Sequence, residues 1–178
     1  MLKVNAGSFK GRRLLENKFE HIRPTTDKVR QALFTKLQFF LPNKKVLDLF
    51  CGTGAMGIEA FSRGAEEVDF VDKDQRSVQM TKSNLKNLGI NAKVIKCDAL
   101  VFLEKCEKKY DLIILDPPYK SGIYEKVLQK IFEKQILNEE GIIVCEHAKE
   151  DTFDYSNFDV FDEKRYGTIV LTYLCQKS

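Results

Sequence analysis

Five short runs in which nearly every residue is apolar recur along the chain at Val46 to Leu49, Val68 to Val71, Lys93 to Ile95, Leu112 to Leu115 and Ile142 to Cys145. Between them lie stretches with helical spacing of apolar residues. Runs this short, apolar on successive residues, cannot be half-solvated strands, which would alternate with polar residues. They predict a parallel sheet buried on both faces, wound by helices in a β-α-β rhythm from Lys44 onward. Two further candidates, Phe158 to Phe161 and Thr168 to Leu174, are joined by Lys164 to Gly167, a connection too short for a helix. They predict an antiparallel hairpin. Ahead of the sheet, residues 2 to 15 read as a small hairpin turning at Gly7 to Gly11. Thr26 to Phe40 reads as a helix capped by Thr25 or Thr26, with Val29, Ala32, Leu33, Leu37 and Phe40 on one face.

In such sheets ligands lie outside the carboxyl ends of the strands. The first run leads into Asp48-Leu49-Phe50-Cys51-Gly52-Thr53-Gly54-Ala55-Met56-Gly57, a strand-loop-helix passage that places backbone N–H groups of Phe50, Gly52, Thr53 and Gly54 against a ligand. Asp72 follows Gly52 by 20 residues, at the end of the next strand and beside Lys73, where a carboxylate accepts from the two hydroxyls of a ribose. Taken literally the loop also fits a nicotinamide dinucleotide. Against that stands Asp48, which would face the negative pyrophosphate; the ammonium and sulfonium of S-adenosylmethionine would instead be attracted. Asp48 also reads as a cap for the following helix. After the third strand, Asp98 and Ala99 either receive an adenine, through the carboxylate and the Ala99 N–H, or open a helix with Asp98 as its cap. Cys51 lacks a histidine placed beside it by sequence and reads as a small space-filler.

The fourth run ends in Asp116-Pro117-Pro118-Tyr119. A carboxylate and two proline carbonyls offer acceptors only, and the tyrosine adds a flat π face. That set suits a planar base bearing an NH2 group, although an isolated string of this kind also serves as a plain strand-to-turn exit.

Residues 1 to 30 carry eight Lys or Arg against three acids, a local balance of +5, whereas the remainder carries −2. A basic arm on a near-neutral body fits a polyanionic partner as well as a simply solvated surface. Arg12, Arg13, Arg23, Lys28 and Arg30 are candidates to hold phosphates, with Thr25 and Lys120 as further contacts. The five cysteines form no C-x-x-C pair, which argues against a disulfide framework or a zinc site. No apolar stretch approaches the roughly 20 residues of a membrane helix. One soluble cytoplasmic domain over residues 1 to 178, monomeric and without metal or membrane partner, is the expectation, with residues 1 to 43 as the basic extension and 44 to 178 as the core.

The order Asp48-x-x-x-Gly52-x-Gly54, Asp72, Asp98, Asp116-Pro117-Pro118-Tyr119 resembles the class I, Rossmann-like amino-group methyltransferases. Ala6 to Leu14 and Arg23 to Phe34, together with Leu47 to Gly64, narrow the resemblance to the bacterial 16S ribosomal RNA guanine-N2 methyltransferase family over nearly the whole chain. The resemblance implies a seven-stranded Rossmann-like sheet and S-adenosylmethionine as methyl donor. It further implies methylation of the exocyclic N2 of one guanine, at the guanine-966-type site of small-subunit RNA, free or within an assembling particle. The family's functional positions carry over to the Asp48 and Gly52 loop, Asp72, Asp98 and Asp116 to Tyr119, with Tyr119 standing where many relatives have Phe. Three other readings remain at this level: a DNA adenine-N6 methyltransferase, which shares the acceptor tetrapeptide; a nicotinamide-dependent oxidoreductase, which leaves it unexplained; and a non-catalytic ribosome-assembly factor.

Overall fold

The computed structural model describes residues 1–16, 27–118 and 120–178. Seven strands form one mixed sheet: β1 (Lys45–Asp48), β2 (Glu67–Asp72), β3 (Lys93–Lys96), β4 (Tyr110–Leu115), β5 (Leu137–Ala148), β6 (Phe158–Tyr166) and β7 (Ile169–Gln176), in the order β3-β2-β1-β4-β5-β7-β6. The first five are mutually parallel, and β7 lies antiparallel between β5 and β6. The expected Rossmann-like architecture and the terminal hairpin are both present. Helices α1 (Asp27–Lys36), α2 (Ala55–Ser62) and α3 (Gln75–Leu88) share one apolar cluster with Val46, Phe70, Leu112 and Ile114. Helices α4 (Ala99–Lys105) and α5 (Tyr124–Glu133) share the other with Leu47, Val71, Ile113 and Leu115. Successive strand residues point to opposite faces, which is why each strand divides its side chains between the two clusters. Among the described residues no helix is long and apolar enough to cross a membrane.

Boundaries differ from the sequence reading where tertiary pairing decides them. Helix α1 stops at Lys36, and residues 37 to 40 form turns in which the Phe40 N–H donates to the Leu37 carbonyl at 2.9 Å. Pro42 disfavours helical backbone at Leu41 and keeps the chain from resuming the helix beyond these turns. The proposed caps Thr25 and Thr26 lie outside the described residues. Strand β5 is longer than its apolar run at both ends: Leu137 pairs with Tyr110 across a bulge, and residues up to Ala148 are held by β7.

The amino-terminal hairpin pairs Lys3 with Arg13, and buries Val4 and Leu14 in the first cluster. It is fastened to α2 by a buried carboxylate. Glu59, wholly buried, accepts from the Asn5 and Ala6 N–H groups at 2.9 and 3.1 Å and from Arg63 Nε at 3.0 Å. Gly7 has φ +83, and a Cβ there would lie 1.9 Å from the Ser62 carbonyl oxygen, so only glycine admits this approach. The Ser8 N–H donates to that same oxygen at 2.8 Å, and the Ser62 hydroxyl donates to the Ala6 carbonyl at 2.6 Å.

Arg30 corrects the sequence reading. Expected on a polyanion, it is 1% exposed on the inner face of α1, where its guanidinium donates to Asp27 and to the Lys3 carbonyl and lies 3.8 Å from Glu59. A buried acid needed a cation, and the helix spacing already carries the sign of it, since Leu33, Phe34 and Leu37 stand three, four and seven residues on and put Arg30 on the apolar face.

Candidate active site

Strands β2, β1 and β4 are adjacent and parallel, so their carboxyl ends open on one edge. Asp48 ends β1 on the same side as Val46, and Asp72 ends β2 on the same side as Phe70. Helix α2 begins after Gly54, whose φ of 82 turns the chain but which has no side chain to cap the helix. The strand supplies the missing acceptor: the Gly57 N–H donates to Asp48 Oδ2 at 2.9 Å. The capping role considered from sequence is therefore real, and it is filled from across the loop. Asp48 is 2% exposed. Burial raises its pKa from 3.8 to about 7 against the lowering effect of the Gly57 bond, with the charges of Asp116 and Asp72 raising it further. Three of the carboxylates singled out from sequence thus lie within electrostatic reach of one another.

The glycine loop is held from behind by α3. Thr81 Oγ1 donates to the Gly52 carbonyl at 2.9 Å, and Asn84 Nδ2 donates to the Thr53 carbonyl at 2.8 Å. In a trans peptide the C=O and N–H point in opposite directions, so fixing the Gly52 carbonyl against α3 turns the Thr53 N–H away from α3. The Gly54 N–H closes the turn on the Cys51 carbonyl at 2.7 Å. A Cβ on Gly54 would come 2.9 Å from Thr81 Cγ2, at a positive φ, so the close packing of loop on helix depends on glycine. Thr53, half-buried, receives the Ala55 N–H on its hydroxyl at 3.2 Å. Asp72 accepts the Gly52 N–H on Oδ2 at 3.0 Å and the Asp74 N–H on Oδ1 at 2.9 Å, so it fixes the loop and retains a lone pair on each oxygen. Thr81 and Asn84 were not singled out from sequence. The available signal was two polar residues inside the buried stripe Val78, Thr81, Asn84, Leu85 and Leu88 of an otherwise amphipathic helix.

Cys51 is buried, with Sγ 3.4 Å from Thr81 Oγ1, and burial first, then the charge of Asp48, pushes its thiol far above the ordinary range. It packs, as the sequence suggested. Phe50 is half-buried against the second apolar cluster, and Lys73 is exposed. Asp98 caps α4, accepting from Leu100 and Val101 N–H at 2.9 and 3.2 Å, both on Oδ1. It remains exposed beside buried Ala99.

At the end of β4, Asp116 and Pro117 are half-buried and Pro118 is exposed. Of the two proline carbonyls, that of Pro118 accepts the Ser121 N–H at 3.1 Å and serves the turn. The exit is clamped by Tyr124, a residue sequence reasoning passed over. Its hydroxyl contacts the carbonyls of Leu115, at 3.2 Å, and Glu146, and its ring stacks on Phe153 with centroids 4.5 Å apart. Tyr119 lies outside the described residues, as do Arg23 and Thr25. Of the basic candidates, Arg13, Lys28 and Lys120 are exposed. Arg12 is exposed too, with Nη2 donating to the Asn87 carbonyl at 2.8 Å near the end of α3.

Comparison with known proteins gives a consistent result. Residues 2–175 match the family described as conserved hypothetical protein 95. Bacillus subtilis YlbH is 42% identical, over 84% of each chain. The Escherichia coli protein named ribosomal RNA small subunit methyltransferase D is 30% identical, over 94% of this chain and 86% of its own. The structure of Escherichia coli yhhF superposes with a TM-score of 0.88 at 29% identity, covering 99% of this chain and 98% of that one.

Proposed function

The chain belongs to the conserved hypothetical protein 95 family, with relatives named ribosomal RNA small subunit methyltransferase D, and on that premise we propose that it methylates small-subunit ribosomal RNA from S-adenosylmethionine. The acceptor in this reading is the exocyclic N2 of a single guanine. The observation that carries it is the convergence of Asp48, Asp72 and Asp116 at one sheet edge around the loop of Gly52 and Gly54. Carboxylates that raise one another's affinity for protons suit a cationic ligand, and they disfavour the pyrophosphate of a dinucleotide.

S-adenosylmethionine supplies a methyl group already activated by its sulfonium. In the proposed site Asp48 faces the cofactor's ammonium directly or through water, and Asp72 accepts from its ribose hydroxyls. Asp98 and the Ala99 N–H meet its adenine, and the loop of Gly52, Thr53 and Gly54 lines its path with the Thr53 N–H turned away from α3, and with Phe50 and Lys73 beside it. Asp116 and the Pro117 carbonyl accept the two hydrogens of the guanine amine. That draws its lone pair out of conjugation with the ring and stabilises the positive charge that develops on nitrogen. Tyr119 stacks on the flipped base, an interaction worth about 1–3 kcal/mol. Arg12, Arg13, Arg23, Lys28, Thr25 and Lys120 engage the RNA backbone. Most of the rate then comes from holding nitrogen and methyl about 3–3.5 Å apart.

The test is transfer of labelled methyl to small subunits from a strain lacking this protein, followed by nucleoside analysis. N2-methylguanosine is expected. In single turnover Asp116→Ala should lose at least about 100-fold in rate, the scale of a lost transition-state hydrogen-bonding group, while keeping affinity for S-adenosylhomocysteine. Label in another nucleoside, or a folded Asp116→Ala variant of near-normal rate, would overturn the reading.

A further inference from the structure

We propose that Asn84 is a positioning residue that couples the cofactor loop to the amino-terminal arm, so that S-adenosylmethionine and RNA each bind more tightly in the presence of the other. The proposal rests on the reading of the loop as the cofactor side and the arm as an RNA side.

Asn84 sits in the middle of α3, 1% exposed, in a helix interior that intrinsically disfavours asparagine. Its buried amide is fully used. Oδ1 accepts the Leu15 N–H at 2.7 Å, and Nδ2 donates to the Leu15 carbonyl at 3.3 Å and to the Thr53 carbonyl at 2.8 Å. One planar group therefore grips both backbone polar atoms of a single arm residue and one peptide of the glycine loop. The amide is rigid, so a shift of the Thr53 peptide when the loop closes on a ligand must either move the amide or break a buried bond. Moving the amide drags the Leu15 backbone with it. Leaving a buried donor or acceptor unpaired is the costlier course, so the coupled movement is favoured.

The rest of the arm gives this motion a lever. Val4 and Leu14 are anchored in the core and residues 5 to 9 are pinned on α2, while Leu15 at Asn84 and Arg12 at the Asn87 carbonyl meet α3, the loop's own support; of these only Leu15 shares a side chain with the loop. Arg13 and Arg12 stand two and three residues upstream. Ordering of Leu15 by an occupied loop would present these guanidiniums in one arrangement, and RNA held by them would in turn favour the closed loop. Thermodynamic linkage requires the two effects to be equal.

The experiment measures affinity for S-adenosylhomocysteine by calorimetry with and without purified small-subunit ribosomal RNA. The wild-type protein is expected to bind it about tenfold tighter with RNA present, within the usual range of coupling between sites. Asn84→Asp keeps an acceptor for the Leu15 N–H and loses both donors. It is expected to bring the ratio close to one, whatever it does to either affinity alone. Leu15→Pro, at a residue 49% exposed, removes the N–H from the arm side and is expected to do the same without touching α3 or the loop. Hydrogen exchange supplies a readout without RNA: amides of residues 2 to 15 should slow on addition of S-adenosylhomocysteine in wild type and not in either variant. A wild-type ratio of one with RNA demonstrably bound, or an undiminished ratio in a folded variant, would overturn the coupling. Absence of binding to free RNA by wild type would instead move the RNA half of the test to small subunits, and exchange would decide on the loop-to-arm link.

Discussion

The elevated proton affinity of Asp48 makes ligand binding below neutral pH a proton-releasing event. In the free protein its carboxyl titrates at about 7, so at pH 6 it is about nine-tenths protonated. An ammonium placed beside it favours the carboxylate and drives the proton off. The α-amino group of S-adenosylhomocysteine, a free amino-acid amine, is fully charged at that pH and takes up almost nothing. Binding at pH 6 should therefore release about 0.9 proton. Titration calorimetry in pairs of buffers with different ionisation enthalpies reads that number directly. Asp48→Asn, which keeps an oxygen to accept the Gly57 N–H, should abolish the release at pH 6. The same group links pH to folding. Its folded pKa is raised, so the stability it confers is full below about 3.8 and is lost as pH rises through about 7. The rise from 3.8 to about 7 corresponds to about 4 kcal/mol, and Asp48→Asn should recover a large part of it at pH 8 in the free protein. Zero proton release at pH 6, with saturable binding, would refute the pairing of Asp48 with a cation.

Two further outcomes are expected. Glu59→Ala would leave Arg63 Nε and the Asn5 and Ala6 N–H groups without their acceptor and remove one of the two carboxylates beside Arg30, and should lower the unfolding free energy by about 3–5 kcal/mol in urea titration; a loss under 1 kcal/mol would show that the network contributes little. Neutralising Arg13 and Lys28 together should reduce the slope of log K for RNA against log salt by about 1.4–1.8, while Arg30→Gln should act on stability; an unchanged slope would make the arm a bystander surface.

The strand sequence was legible because short apolar runs have few other uses, and the crevice because three of the runs led to Asp48, Asp72 and Asp116 at the edge where ligands lie. Asp48 shows where such reading stops. Its position announced a site, but the choice between cap and ligand depended on where Gly57 would point, a matter of α2's entry angle. The hairpin's docking was equally hidden. Nothing local connects Glu59 to the N–H groups of Asn5 and Ala6, more than 50 residues away, or Arg30 to the acid it neutralises. Thr81 and Asn84 escaped notice because their partners are backbone carbonyls, which every residue carries and no sequence marks. The order of strands β5, β7 and β6 likewise follows from pairing rather than pattern, since a hairpin can attach by either strand.

The arm's dependence on α2 and α3 also dictates when it can form. Its partners Glu59, Ser62 and Asn84 occupy usable positions only after those helices have packed on β1 and β2, so the hairpin docks late. Weakening those contacts should therefore leave the folding rate nearly constant and quicken unfolding, which makes the hairpin a determinant of the protein's lifetime and not of its speed of assembly.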